Sequence, residues 1–175
     1  WLSEEKLRPS FIIDMLENSY EIKIRNIKFK IRIDRVDRID GDHKLLIDYK
    51  TGKNVISRKA LFSNDLTDLQ LPIYACFTSI NGLSGVAIGH INRGKINLYG
   101  VLSSDNNTIS KQLSSKIDNS VIKDWHSLTN LWRNKIEKIV EQYLSGNAAV
   151  TFDENTDFTY CDVSPLLRLA EKKYQ

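Results

Sequence analysis

Three stretches hold residues whose types and spacing can do chemistry: Ile31-Arg-Ile-Asp34-Arg-Val-Asp37-Arg-Ile-Asp40, Leu46-Ile-Asp48-Tyr-Lys50-Thr-Gly52 and Gln70-Leu-Pro-Ile-Tyr74. Asp48 and Lys50 stand two apart in a strand-like run, so both project from one face while Tyr49 points to the other. Asp34 falls at the end of a neighbouring strand, on the polar side of its alternation, and a hairpin can set it beside Asp48. Two carboxylates held close repel unless a cation joins them. Hard oxygen ligands with open water positions suit Mg²⁺ or Mn²⁺. A lysine beside such an ion can position or deprotonate a water, or steady developing phosphate charge. The parts together describe metal-assisted hydrolysis of a phosphodiester. The plain alternative for Asp-x-Lys on a strand is a surface ion pair of little worth. Against it, Asp48 follows three consecutive aliphatic residues and so emerges from a buried strand, where an unpaired carboxylate is expensive.

The elements that must position these residues are legible from periodicity. Residues 11 to 50 read as a β-meander. Tyr20, Ile22 and Ile24 alternate with Glu21, Lys23 and Arg25; after a turn at Asn26, Ile27, Phe29, Ile31 and Ile33 alternate with Lys28, Lys30, Arg32 and Asp34. Asp40-Gly41-Asp42 is a hairpin turn signature leading into the apolar run from Leu45. Residues 53 to 68 read as a polar connection. A helix capped near Thr67 or Asp68 is expected to carry Leu69, Ile73 and Phe77 on one face. Leu83 to Asn92 and Lys95 to Leu102 read as strands joined by Arg93-Gly94, followed by a polar loop from Ser103 to Asn107. A long amphipathic helix follows, with Val121, Trp125, Leu128, Trp132, Ile136, Ile139 and Tyr143 on its apolar face and Gly146 as its stop. A short helix is expected from Ser164-Pro165. Strands, helix, strands, helix argue for an α/β or α+β domain, a mixed sheet packed by helices.

The 175 residues suffice for one domain with a real core, and 41% apolar with 27% charged residues excludes collagen-like, low-complexity and wholly disordered chains. A net charge of +3 implies a nucleic-acid partner only if the positive charges cluster. Two cysteines, Cys76 and Cys161, make no disulfide framework, and a reducing cytoplasm is the simpler expectation. No apolar run approaches the roughly 20 residues of a membrane span, so no membrane partner is expected. The chain opens on Trp1, and residues 1–175 are read as one domain, the C-terminal fragment of a larger protein.

The run RIDRVDRID…LLIDYKTG…QLPIYA resembles the RecB-like branch of the PD-(D/E)XK nucleases. It is most similar to the C-terminal nuclease domains of AddB-type proteins and of bacterial DNA-repair proteins with an inactivated superfamily I helicase. Arg8-Pro-Ser-Phe11, Glu17 and the stretch from Cys161 to Arg168 extend the likeness over most of the chain. The resemblance implies a restriction-endonuclease-like α/β fold, with a central mixed sheet flanked by helices. It implies Asp34 and Asp48 as metal ligands joined by the backbone carbonyl of Tyr49, and Lys50 as the catalytic lysine. Gln70 and Tyr74, four apart and so on one helical face, match the family's Q-x-x-x-Y motif beside the site and the DNA; Thr51 and Gly52 match the turn after the catalytic strand. The implied activity is Mg²⁺- or Mn²⁺-dependent cleavage of DNA in repair or recombination. The implied partner, besides DNA, is the helicase-like remainder of the polypeptide or a helicase–nuclease subunit.

The chain also departs from that pattern. Ile31 stands where a glycine is usual, and the upstream helical motif that often supplies a histidine ligand has no counterpart after Trp1. Glu17 offers a substitute carboxylate, against the plainer reading of a solvent-facing strand residue. Asp37 lies three residues after Asp34, on the opposite face of a regular strand, and is assigned to surface pairing with Arg35 or Arg38. The iron–sulfur positions of many relatives read Phe158, Cys161 and Leu167, followed by Arg168. One thiolate cannot hold a cluster that needs four ligands, so none is expected.

Other features have bland accounts beside functional ones. Lys23, Arg25, Lys28, Lys30 and Arg32 form a stripe on one hairpin, fit for phosphate contacts or for guarding a sheet against aggregation. Arg58 and Lys59 are further candidates for that basic surface. Trp125, Trp132 and Cys76 are read as core, and His43, His90 and His126 show no metal-ligand spacing. Two rivals stand beside the nuclease: a catalytically silent DNA-binding or scaffolding module that keeps the fold, and an unrelated ligand-binding domain.

Overall fold

A computed structural model describes residues 1–52, 61, 66, 68–92, 95–103 and 124–147, without the side chains of Glu4, Leu7, Asp40 and Lys95. Alternating apolar residues form five strands: β1 (Ile12–Ile24), β2 (Ile27–Asp40), β3 (His43–Lys50), β4 (Leu83–Asn92) and β5 (Lys95–Leu102). They form one sheet in sequence order, antiparallel throughout except that β3 and β4 run parallel. The sheet is therefore mixed. A parallel pair needs a long crossover, and the segment between β3 and β4 provides it, including helix α2 (Gln70–Phe77). Gly41, at a φ of +51°, turns β2 into β3 in the left-handed conformation that glycine adopts without strain.

Helices cover both faces. On one, α2 and α3 (Trp125–Leu144) bury Leu71, Tyr74, Leu128, Trp132 and Ile136 against Ile22, Ile24, Leu46, Val86 and Ile88. The indole N–H of Trp132 donates to the Leu61 carbonyl at 2.7 Å, and Trp125 meets its ring edge-on, so both tryptophans are packing residues. On the other face Leu45, Ile47, Ala87 and Leu102 pack with Phe11 and Tyr49. The short helix α1 (Leu2–Leu7), absent from the sequence reading, lies on that side: Trp1 at its start meets the Tyr49 ring edge-on at 5.2 Å.

Three expectations need correction. The buried residues of α2 are Leu71, Pro72, Tyr74 and Cys76, while Leu69, Ile73 and Phe77 are only partly buried. The helix is short and enclosed on several sides, so one apolar stripe does not describe it. The buried stripe of α3 runs Leu128, Trp132, Ile136, Val140; Ile139 is 42% exposed. Alternation along β2 also breaks. Ile33 and Val36, three apart, join the same core, so the strand changes face around Asp34 and Arg35. Glu17, which the register sets opposite Asp34, has a φ of +49°.

The chain falls into two compact units, Trp1–Val140 and Glu141–Gln175. The first holds the sheet and its core. Of the second, the end of α3 and its stop are described: Gly146 at φ +69°, its N–H on the Tyr143 carbonyl, and the Asn147 N–H on that of Gln142. Among the described residues no helix is long and apolar enough to cross a membrane. Val121, the stretch 104–107 and the expected helix at Ser164-Pro165 lie outside the described residues.

Candidate active site

The β2–β3 register ends with the pair Arg35↔Ile47, and one step beyond it lie Asp34 and Asp48. There the Tyr49 N–H donates not to a strand carbonyl but to Asp34 Oδ2, at 2.9 Å. Asp34 is thus drawn onto the end of β3, beside the strand that carries Asp48 and Lys50. Asp48 is 2% exposed, as the three aliphatic residues before it required.

Helix α2 delivers the other half of the cluster. Gln70 opens it, with the Gln70 N–H donating to Asp68 Oδ1 at 2.8 Å, and Tyr74 follows one turn later. Pro72 falls in the first turn, where a missing N–H leaves no helical bond unmade. The Gln70 amide reads both charges at the end of β3: its Nε2 donates to Asp48 Oδ1 at 2.6 Å and to the Tyr74 hydroxyl at 2.9 Å, and its Oε1 accepts from Lys50 Nζ. Lys50 Nζ stands 2.9 Å from Asp48 Oδ2 and 4.0 Å from Asp68 Oδ2. The Lys50–Asp48 contact is an ion pair by distance but is not aligned as a hydrogen bond. Asp48 Oδ2 is therefore a buried oxygen without a hydrogen-bond donor among the described residues.

Burial raises the Asp48 pKa, and the negative charges of Asp34 and Asp68 add to it against the pull of Lys50. Burial works against the Lys50 charge most strongly, but the attraction of the Asp48 carboxylate 2.9 Å away, with that of Asp68 and Tyr74, outweighs it and holds the lysine above its ordinary value. Lys50 is accordingly an ammonium. Burial likewise raises the Tyr74 pKa, so its hydroxyl stays neutral.

Among the described residues no group of three or more His, Cys, Asp or Glu side chains is arranged to hold a metal ion. The cluster offers two carboxylates, and Mg²⁺ is commonly held by one or two, with waters and substrate phosphates completing its shell. A buried carboxylate oxygen without an aligned donor, on a group pressed toward its neutral form by burial and then by neighbouring carboxylates, is the environment a divalent cation relieves. The residues present fit such an ion.

The structure brings Asp34, Asp48, Lys50, Gln70 and Tyr74 together. Asp37 is paired with Arg35, as expected, but the pair is not on the surface: Asp37 is fully buried, bonded by Arg35 Nε at 2.5 Å and by Arg8 Nη2 at 2.7 Å. Its burial follows from the Arg8 and Arg35 guanidinium groups that close on it beside α1, a helix no periodic signal announced. Glu17 is exposed, and its carboxylate pairs with Arg32 at 3.4 Å. Lys28, Lys30 and Arg32 are exposed on β2, with Lys28 in register with Lys23. Arg58, Lys59, Phe158, Cys161, Leu167 and Arg168 lie outside the described residues.

Two neighbours of the site were not read as such. Asp68, a helix-cap candidate by spacing, stands 4.0 Å from Lys50 Nζ, and its position two residues before Gln70 is the available signal. His90, set aside for lack of ligand spacing, sits in register with Lys50 on β4, its Nε2 2.8 Å from the Gly52 carbonyl. Only the parallel pairing of β3 with β4 brings it there. Cys76 is buried, its thiol 3.2 Å from the Thr129 carbonyl and pushed up to about 12 by burial.

Residues 1–166 match the family model of the PD-(D/E)XK nuclease superfamily. No curated protein matches. A solved structure described as the crystal structure of SSO0001 aligns with a TM-score of 0.39 at 16% identity, covering 94% of this chain and 65% of that one. The chain thus spans less than two thirds of that protein's length.

Proposed function

Since the chain belongs to the PD-(D/E)XK nuclease superfamily, whose members are usually nucleases and generally use divalent metals, we propose that it is a Mg²⁺- or Mn²⁺-dependent deoxyribonuclease domain acting in DNA repair or recombination. The observation that carries this reading is a cluster in which Gln70 bridges Asp48, Lys50 and Tyr74, with Asp34 held by the Tyr49 N–H, around a buried Asp48 oxygen that has no aligned donor and only the Lys50 ammonium beside it. Asp34 and Asp48 hold the metal. The N–H and C=O of one strand residue point to the same neighbour, so the Tyr49 carbonyl faces the side from which Asp34 meets its N–H and is the third ligand. A bound divalent cation supplies Lewis acidity toward phosphate oxygens and lowers the pKa of a bound water.

Each side chain has its own part. As an ammonium, Lys50 steadies negative charge developing on the phosphate and orients the attacking water. Gln70 holds Lys50 and Asp48 at a fixed separation, and the neutral Tyr74 hydroxyl fixes the Gln70 amide. The exposed row of Lys28, Lys30 and Arg32 leads along β2 toward Asp34 and serves as a phosphate track, with Arg58 and Lys59 assigned to the same surface. The RecB-like, AddB-type affiliation, and with it a helicase-like partner, rests on the motif run from Arg32 to Ala75, and a cytoplasmic setting on two cysteines that make no disulfide framework.

The test is at the metal. Mn²⁺ and Mg²⁺ are titrated by calorimetry into the wild-type chain and Asp48→Ala, with cleavage of labelled single- and double-stranded DNA followed in parallel. Binding and cleavage are both expected in the wild type and both lost in the variant, cleavage by about 10³-fold or more. Metal binding without cleavage indicates the silent module instead, and no binding at millimolar metal rejects the active enzyme.

A further inference from the structure

Behind the candidate site, on the opposite face of the sheet, lies a buried network of charges that the chemistry above does not use. Arg35 donates from Nε and Nη2 to both oxygens of Asp37, from Nη2 to Glu5 at 3.0 Å, and from Nη1 to the Tyr49 hydroxyl at 3.1 Å. Arg8 joins Glu5 at 2.9 Å and Asp37 at 2.7 Å, and both guanidinium groups stand over the Phe11 ring, at 4.1 and 5.0 Å. Two cations and two anions balance. Desolvating buried ion pairs offsets most of their attraction, and apolar side chains of similar volume often serve stability as well or better. The network's value therefore lies in what it positions.

Its members alternate with the site residues. Arg35 directly follows Asp34, and Tyr49 stands between Asp48 and Lys50. Tyr49 faces away from Asp48 and Lys50, beside Leu45, Ile47 and Phe11, so the Arg35–Tyr49 bond ties β2 to β3 behind the Asp48 carboxylate. The tie matters because registered pairing of these strands ends at Arg35↔Ile47, one step before Asp34 and Asp48. Beyond that pair two links cross between the strands: Tyr49 N–H to Asp34 Oδ2, and Arg35 Nη1 to the Tyr49 hydroxyl. The Tyr49 ring is also confined. It packs edge-on to Trp1 and over Gly89, where a Cβ would stand 2.7 Å from Tyr49 Cδ1.

We infer that Arg35 and Tyr49 are positioning residues, a clamp on the back of the sheet that sets the Asp34 carboxylate against β3 and so fixes the separation of the two metal-binding aspartates. The inference rests on the nuclease reading for its consequence in catalysis, but the geometry it asserts can be read without cleavage.

Tyr49→Phe removes the hydroxyl and leaves the ring and the backbone. In the whole chain it is expected to lower kcat for Mn²⁺-dependent DNA cleavage, and Mn²⁺ affinity, about tenfold, with KM for DNA unchanged, as loss of a group supporting a ligand does. By NMR hydrogen exchange, the residue-49 amide is expected to exchange about tenfold faster, while the amides of Val86 and Ala87 on β4 keep their rates. Arg35→Lys keeps the charge without the planar fork and should resemble Tyr49→Phe in its effect on kcat; Glu5→Gln, farther from the tie, is expected to change kcat less than either. Unchanged kcat, metal affinity and residue-49 exchange in Tyr49→Phe overturn the clamp. So does faster exchange across the whole sheet, the mark of a merely structural role. A wild type that cleaves no DNA, with the selective loss of protection still seen in Tyr49→Phe, retains the clamp and rejects the nuclease.

Discussion

Asp48 is buried behind three aliphatic residues, carries one oxygen without a donor, and has its pKa raised by burial and by neighbouring carboxylates. The sign follows. A carboxyl whose folded pKa lies above its unfolded value favours the fold when protonated, so its ionisation costs stability as pH rises through those values. In the presence of a chelator, Asp48→Asn is therefore expected to raise Tm at pH 7, and the gain should vanish once pH falls below the ordinary aspartate value of about 3.9. Added Mn²⁺ should reverse the order by stabilising only the wild type. Thermal melts of the two proteins across pH, with and without metal, check this. A wild type that is the more stable at pH 7 in chelator would contradict the burial argument. Lys50 is a milder case, because Gln70, Asp48 and Asp68 all surround its ammonium.

Helix α3 tests how an element meets the sheet. Its buried residues step by four through Leu128, Trp132, Ile136 and Val140, whereas alternating steps of three and four in the sequence pointed to Ile139 and Tyr143. Both readings satisfy amphipathic spacing; the orientation of the last turns against the sheet decides between them. Val140→Ala is expected to cost about 1–2 kcal/mol, from two methyl groups at about 0.8 kcal/mol each. Ile139→Ala should stay within about 0.5 kcal/mol, as exposed substitutions do. Urea denaturation of both variants gives the comparison, and equal losses would contradict the observed orientation. The same contrast holds for α2, whose chemistry-bearing face, Gln70 and Tyr74, was legible from a spacing of four while its packing face was not.

Over the whole molecule the net charge is only +3, so nucleic-acid affinity must come from how the charge is distributed. Lys23 and Lys28 face each other across β1 and β2, with Lys30 and Arg32 exposed further along. Like charges directly opposite destabilise a strand pair, which a phosphate backbone lying across them relieves. If this stripe tracks DNA, Lys28→Ala/Lys30→Ala should reduce the slope of log K against log salt by about 1.4 to 1.8, two phosphate contacts at about 0.7 to 0.9 each. Fluorescence anisotropy with a catalytically inactive background reads the slope, and an unchanged value assigns these lysines to sheet protection alone.

The five described strands, the antiparallel pairing of β1 with β2, β2 with β3 and β4 with β5, and the side-by-side placement of Asp48 with Lys50 and of Gln70 with Tyr74 followed from the sequence by itself. Alternation, turn chemistry and helical spacing are short-range rules that act within a few residues. Those rules assigned Asp37 to Arg35 but put the pair on the surface. They did not reveal α1, the break in alternation at Asp34, or the arrival of His90 and Asp68 beside Lys50. These depend on which elements cover each face and on where the β2–β3 ladder ends. A charge has no period that names its partner, and a strand cannot announce that the helix over its back is polar. The tertiary structure decides both, because burial makes Arg8, Glu5, Arg35, Asp37 and Tyr49 satisfy one another.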